Sequence, residues 1–342
     1  MGGHSVPWGI PMTRSMLRIA LLFLLLCAGV FCVALLAGPG TAAPAASSRE
    51  KVIIDTDIGD DIDDAFALAA ALNDQHLDIL GVTAAWGDTG LRVRQLQRLL
   101  TIAGRADVPV TQGPATANAT PYTQKRWAEG QPAPAAPVPS SVDFILEQAR
   151  RYPGQVTLIS LAPPSTLGAL IDRDPAGFAK LKRVVMMGGS VYAGYDDTGY
   201  GPLKGPTPEY NIYSDIASAK KLFTSGVPLV VMPLDSTRLK LDEVKRDLLF
   251  AAGTPMTDAL ALMYHQWRHL NGWGQITPTL FDLVPVAYVL DPRLCPTTPL
   301  RLVVGDKGET TPAPGPANAQ VCLKEDKEGI LDLLMNGLLA RQ

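Results

Sequence analysis

The apolar run Val52-Ile53-Ile54 stops at Asp55-Thr56-Asp57-Ile58-Gly59-Asp60-Asp61-Ile62-Asp63-Asp64, a stretch that packs six carboxylates into ten residues. β-Branched apolar residues in a short run are a candidate buried strand, and the acids fall where that strand should end. Carboxylates this crowded repel one another and raise each other's pKa unless a cation neutralises them. A bound divalent metal is the simplest account of such a stretch. A solvated acidic loop with helix-capping aspartates is the bland alternative.

The chain after this point alternates strand and helix. Strands are expected near 51–54, 78–84, 108–110, 156–160, 183–187 and 228–232. Helices are expected over 63–72, 90–103, 141–151, 165–172, 216–223 and most of 241–270, with a break near Gly253. Residues 114–140 are rich in Pro and Ala without a period and read as a long loop over the surface or near the site. Segments 302–304 and 319–321 are expected to pair as a closing hairpin. Strands alternating with helices give an α/β fold with a mainly parallel, doubly wound sheet covered on both faces, in a single domain. Ligands in such sheets bind beyond the carboxyl ends of the strands, where strand order reverses, and the acidic stretch sits at one such end.

The bulk charge excludes one class of partner. A net charge of −3 and a pI near 5.8 leave no basic excess to follow a phosphate backbone, so nucleic-acid polymers are not expected. The N-terminus has its own pattern. No Asp or Glu occurs before Glu50; Arg14 and Arg18 precede an apolar segment over 19–37, and small residues follow. That order makes residues 1–46 an export signal peptide or an N-terminal membrane anchor, with a catalytic domain over 47–342 outside the cytoplasm. Cys27 and Cys32 lie in the apolar segment, leaving Cys295 and Cys322, which an oxidising compartment would join. Self-association into a homo-oligomer is left open.

Asp55 and Asp57 are two apart and face the same way on a strand end, Gly59 can turn the chain, and Asp63 and Asp64 open the next helix. Hard oxygen donors of this kind suit Ca²⁺ or Mg²⁺. The stretch resembles the inosine-uridine preferring nucleoside hydrolase family, whose hallmark is Asp-x-Asp-Pro-Gly-x-Asp-Asp after the first strand. Further pieces of the resemblance follow in order over about residues 51–338: Gly81-Val82-Thr83 with Trp86-Gly87-Asp88, Leu161-Ala162-Pro163 after a strand, Met186-Met187-Gly188-Gly189, Pro208-Glu209-Tyr210-Asn211-Ile212-Tyr213, Leu234-Asp235, and Phe281-Asp282.

The resemblance implies a Ca²⁺-dependent hydrolase of N-ribosidic bonds in nucleosides or related ribosides. Asp57, Asp64, Asp282 and the carbonyl of Leu161 would hold the ion, and Asp57 would also be the general base for a metal-held water attacking the anomeric carbon. Asp63 and Asn211 would bind ribose hydroxyls, with Glu209 and Met187 lining the far end of the pocket. This chain departs from the pattern in several places. The Asn that usually follows the Met-Gly-Gly strand has no clear counterpart in Ser190 to Gly205. Asp60-Asp61 add two residues before the Asp63-Asp64 pair, so either could replace a ligand assigned to that pair. Asp88 stands where the family usually has Asn, as a further sugar contact. Phe281 stands where many members have a His that helps the base leave; it can stack on a base but cannot donate a proton. His265 and His269, one helical turn apart, are the nearest substitutes, and Trp86, Trp127, Trp267 and Trp273 are candidates for stacking. Two other readings remain. One is a haloacid dehalogenase-type phosphatase, which needs a downstream Lys such as Lys182 and an acidic pair such as Asp196-Asp197. The other is a nucleoside- or ribose-binding protein with little turnover.

Overall fold

The computed structural model describes residues 1–4, 49–195 and 204–340. The chain divides into Met1–Ser48 and Arg49–Gln342, and the fold below belongs to the second unit. Apart from its first four residues, the expected signal or anchor over 1–46 lies outside the described residues, as does Asp196-Asp197. Among the described residues no helix is long and apolar enough to cross a membrane.

The strands are β1 (Glu50–Thr56), β2 (Leu77–Ala84), β3 (Val110–Gln112), β4 (Val156–Ser160), β5 (Arg183–Met187), β6 (Leu229–Met232), β7 (Thr297–Leu300), β8 (Leu302–Val304), β9 (Thr310–Pro312) and β10 (Ala319–Cys322). Eight form one sheet in the order β3-β2-β1-β4-β5-β6-β10-β7, parallel except for the edge strand β7. The chain winds outward from β1 to β3, then returns to β4 on the other side of β1. Strand order therefore reverses between β1 and β4, which opens a crevice at their carboxyl ends.

Side chains on each strand alternate between two cores. Val52 and Ile54 of β1 enter the core under helices Asp63–Asn73 and Thr89–Ile102, while Ile53 enters the core under helices Ser141–Arg151, Ser165–Arg173 and Ile216–Thr224. Helix Asp63–Asn73 (DDAFALAAALN) is buried from Asp63 through Leu72, because helices Leu283–Leu290 and Lys327–Leu339 cover the side turned away from the sheet. A helix apolar all round is a fully enclosed one, and enclosure fixes its rotation. Its two leading acids are thereby held at one place. Helix Leu283–Leu290 is equally apolar and begins directly after Asp282.

The expected hairpin of 302–304 with 319–321 is corrected. β8 pairs with β9 as a separate antiparallel ribbon, and β10 instead enters the main sheet between β6 and β7. The local turn decides this: Gly308, at φ 85°, closes the short β8–β9 connection, where the Gly305 N–H donates to the Glu309 carbonyl at 2.8 Å. Val321 and Cys322 are then free to be buried. Cys322 is joined to Cys295 across 27 residues of chain, which ties β10 to the turn ahead of β7. Loops of this size restrict the unfolded chain by about 3.5 kcal/mol. A Cys295→Ser, Cys322→Ser double variant is expected to lose about that much stability in chemical denaturation with turnover unchanged. Equal midpoints for the two proteins would contradict it.

Candidate active site

The crevice at the β1–β4 reversal is a cavity of about 490 Å³ bordered by Asp57, Asp60, Asp61, Asp63, Asp64, Leu161, Met187, Glu209, Asn211, Phe281 and Asp282, among others. That volume suits a small molecule such as a nucleoside. Of the residues that the sequence assigns to the metal, the base or the sugar, all but Asp88 border this cavity. Asp88 is exposed, and its carboxylate caps helix Thr89–Ile102 by accepting the Leu91 N–H at 2.9 Å.

The acidic stretch is folded by its own short polar links. Asp55, opposite Thr83 in the β1–β2 register, accepts the Thr83 hydroxyl. The Thr56 hydroxyl donates to Asp64 and accepts the Ile58 N–H, so the strand end is tied forward to the helix. Gly59 takes φ 125°, and any Cβ there would collide with the Tyr122 ring. Backbone and side chains of 122–124 then grip the loop: the Gln124 N–H donates to the Gly59 carbonyl and the Thr123 hydroxyl to the Asp60 carbonyl. The Pro- and Ala-rich segment thus lies at the site, and it contains a short helix, Lys125–Glu129.

Asp60 forms a buried ion pair with Arg92 at 2.8 Å and accepts the Asn118 amide at 2.6 Å, while its other oxygen has no partner. Asp63 and Asp64 instead meet Asp282, with one oxygen from each of the three within 4.8 Å of the others. The Asp282 N–H also points at Asp63, at 3.4 Å. Two helix N-termini therefore converge on the three acids, and their dipoles offset part of the negative charge. Asp57 stands beside Asp64 and borders the same cavity.

Burial, reinforced by neighbouring acids, pushes the carboxyls of Asp57, Asp63 and Asp282 well above their usual range. Burial raises Asp64 to about 7 despite the Thr56 bond and the Arg92 charge, and raises Asp61 to about 6. Arg92 offsets part of this charge through its ion pair with Asp60. The donor set is all hard oxygen, which fits Ca²⁺ or Mg²⁺ and not a thiolate- or imidazole-seeking metal.

The opposite wall is built from β4, β5 and the segment before helix Tyr210–Ser214. The Asn211 amide donates to the Leu161 carbonyl at 2.9 Å and the Met187 carbonyl at 3.2 Å, so it joins two strand ends. Glu209 accepts backbone N–H groups of Gly189, Asn211 and Ile212 at 2.8–3.1 Å, and burial raises it to about 7. Phe281 meets Tyr195 edge to face at 6.1 Å, and the Tyr195 hydroxyl bonds both Glu209 and the Tyr210 N–H.

No histidine borders the cavity among the described residues: His265 and His269 are exposed along helix Pro255–Leu270. Of the four tryptophans, Trp273 alone lines the cavity, while Trp127 and Trp267 are core residues. Trp86 is buried, and it is the one non-glycine residue with positive φ (60°) among those described. Lys182 pairs with Glu50 at the far end of β1, so the lysine singled out for the phosphatase reading does not reach the acids.

Sequence reading missed Arg92, Asn118, Tyr195 and Tyr210. Arg92 left a signal: it shares a helix face with Leu96 and Leu99, and a charge on an apolar face asks for a buried partner.

A sequence model of the family described as inosine-uridine preferring nucleoside hydrolase matches residues 52–332. The chain is 28% identical over 313 residues to the pyrimidine-specific ribonucleoside hydrolase RihA of Escherichia coli O1:K1, covering 84% of this chain and 97% of that protein. Among solved structures it resembles a plant nucleoside hydrolase, the PpNRh1 enzyme, with a TM-score of 0.73, 24% identity, and coverage of 86% of this chain and all of that one. It also resembles a purine-preferring ribonucleoside hydrolase from Gardnerella vaginalis, with a TM-score of 0.70, 22% identity, and coverage of 85% and 98%. At these identities the solved structures speak for the fold.

Proposed function

Because the chain belongs to the inosine-uridine preferring nucleoside hydrolase family and is an N-glycosidase acting on N-ribosidic bonds, we propose that it is an exported, Ca²⁺-dependent hydrolase of nucleosides or related ribosides. The observation that carries this reading is the convergence of Asp57, Asp63, Asp64 and Asp282 with the Leu161–Asn211 wall on one cavity at the strand-order reversal. The family is metal-dependent, and the buried acids have the donors to bind a metal. Asp57, Asp64, Asp282 and the Leu161 carbonyl hold Ca²⁺ in this proposal, and Asp63 completes the acidic cluster on the sugar side. When bound, the ion supplies Lewis-acid polarisation and neutralises the carboxylates.

The protein groups do the rest. Asp57 takes a proton from the attacking water as the ribosyl carbon–nitrogen bond breaks. The ribose ring gains positive charge in the transition state, and the surrounding carboxylates stabilise it. Asp63 and the Asn211 Oδ1 accept hydrogen bonds from ribose hydroxyls, with Met187 and Glu209 at the far end. The Cys295–Cys322 disulfide and the basic-then-apolar N-terminus support export. The relatives divide between pyrimidine-specific and purine-preferring enzymes, so base preference is left to measurement.

With Phe281 in place of the family's histidine, and no histidine at the cavity among the described residues, the leaving base lacks an imidazole donor. A positioned general acid is worth roughly 100-fold or more. Turnover of p-nitrophenyl riboside, whose leaving group needs no proton, is therefore expected to exceed that of inosine and uridine by about that factor in kcat/KM. Equal values for all three would show that an acid is present after all.

A further inference from the structure

We infer that Arg92 is a positioning residue for the active-site loop, replacing with one side chain the rigidity that the family's Pro would supply. The inference rests on the proposed function of the same site. Ile58 occupies the Pro position of the Asp-x-Asp-Pro-Gly-x-Asp-Asp motif, and Asp60-Asp61 lengthen the loop by two residues. A longer loop without the fixed φ of proline has more conformations to exclude. Arg92 excludes them.

The Arg92 side chain is fully buried, and its guanidinium spends four donations on two strand ends. Nη1 donates to the carbonyls of Asp57 and Ile58, the second at 2.8 Å, and Nη2 donates to Asp60 at 2.8 Å. Nε donates to the Trp86 carbonyl at 2.7 Å, at the left-handed residue after β2. The fork thus clamps the loop after β1 to the turn after β2, and it holds the backbone of Asp57 itself. Asp60, the added acid, then passes the link on. Its bond to the Asn118 Nδ2 is continued by the Tyr210 hydroxyl, which donates to the Asn118 side-chain Oδ1 at 3.3 Å and so reaches the segment carrying Glu209 and Asn211. The added acid serves as an anchor between the two walls and is not gathered with Asp63, Asp64 and Asp282.

Arg92→Lys keeps the charge and an ion pair for Asp60 but cannot reach four acceptors in a plane. Loss of alignment at a reacting group costs on the order of 100-fold, so Arg92→Lys is expected to lower kcat by about that factor with KM within about threefold. Ca²⁺ affinity, read by calorimetry, separates positioning from simple charge. Arg92→Met with Asp60→Asn removes one charge of each sign from a single buried pair, so charge alone predicts Ca²⁺ binding little changed. Positioning predicts weaker binding, by about tenfold, in Arg92→Met with Asp60→Asn, a pair chosen so that no buried carboxylate is left unpaired.

If Arg92→Lys fails to fold, the double variant is read by the same criteria, with melting in EDTA as the check on its fold. A folded variant with wild-type kcat, or with Ca²⁺ binding unchanged or tighter, overturns the inference while leaving the enzyme reading intact. A wild-type protein that neither binds Ca²⁺ nor releases ribose overturns that reading and the inference with it.

Discussion

Asp57→Ala is expected to lower kcat by roughly 1,000-fold or more, because a general base alone contributes on the order of 100- to 10,000-fold and, in the proposed mechanism, this residue would also serve the ion. The same change is expected to leave the metal-free protein at least as stable as the wild type. Asp57 is buried beside Asp64 with its carboxyl pushed well up, so removing it relieves desolvation and like-charge repulsion. Loss of activity with a retained or raised melting temperature in EDTA is the signature of an active-site acid held against the interests of the fold. Steady-state ribose release and thermal melting in EDTA check both halves. Near-normal turnover would refute the role of Asp57.

The second large effect is removal of the metal, and its sign depends on pH. Asp55, Asp61 and Asp64 have an ordinary value of 3.8 and are raised to about 7, about 6 and about 7, in each case by burial first. Between pH 3.8 and about 7 the folded, metal-free protein therefore binds more protons than the unfolded chain. Stability contributed by these groups is present at the low end of that window and lost as pH rises through it. The proposed Ca²⁺ would act in the opposite direction, binding the deprotonated carboxylates and gaining affinity as they ionise. At 100 times its Kd it adds about 2.7 kcal/mol. The difference in melting temperature between Ca²⁺ and EDTA is thus expected to be small at pH 5 and large at pH 8. A shift of the same size at both values would mean that the ion does not sit on these acids.

Much of this site was legible in the sequence, because its main parts are local. A β-branched run, a glycine and two acids at the start of an apolar helix specify a strand, a turn and a fixed helix end, and the structure has all three. Alternation of strand and helix gave the parallel sheet, and the position of the acids after β1 gave the crevice. What was not legible depends on partners far apart in the chain. Asp60 could not be told from Asp63 or Asp64 as a ligand, since the distinction is made by Arg92 and Asn118, 32 and 58 residues away. β8 and β10 each have the composition of a hairpin strand, and only the competing β9 and β6 decide where they pair. Asp88 follows a motif tryptophan and glycine, yet the adjoining helix needs an N-cap and takes its carboxylate.

The central claim is that this cavity hydrolyses the N-ribosidic bond. Its most direct test is chromatographic: incubate the purified protein with Ca²⁺ and inosine or uridine, without phosphate, and measure free base and free ribose together. The account predicts both products in equal amounts, dependent on the metal and abolished in Asp57→Ala. No ribose from inosine, uridine or p-nitrophenyl riboside, from a folded protein that binds Ca²⁺, would contradict it.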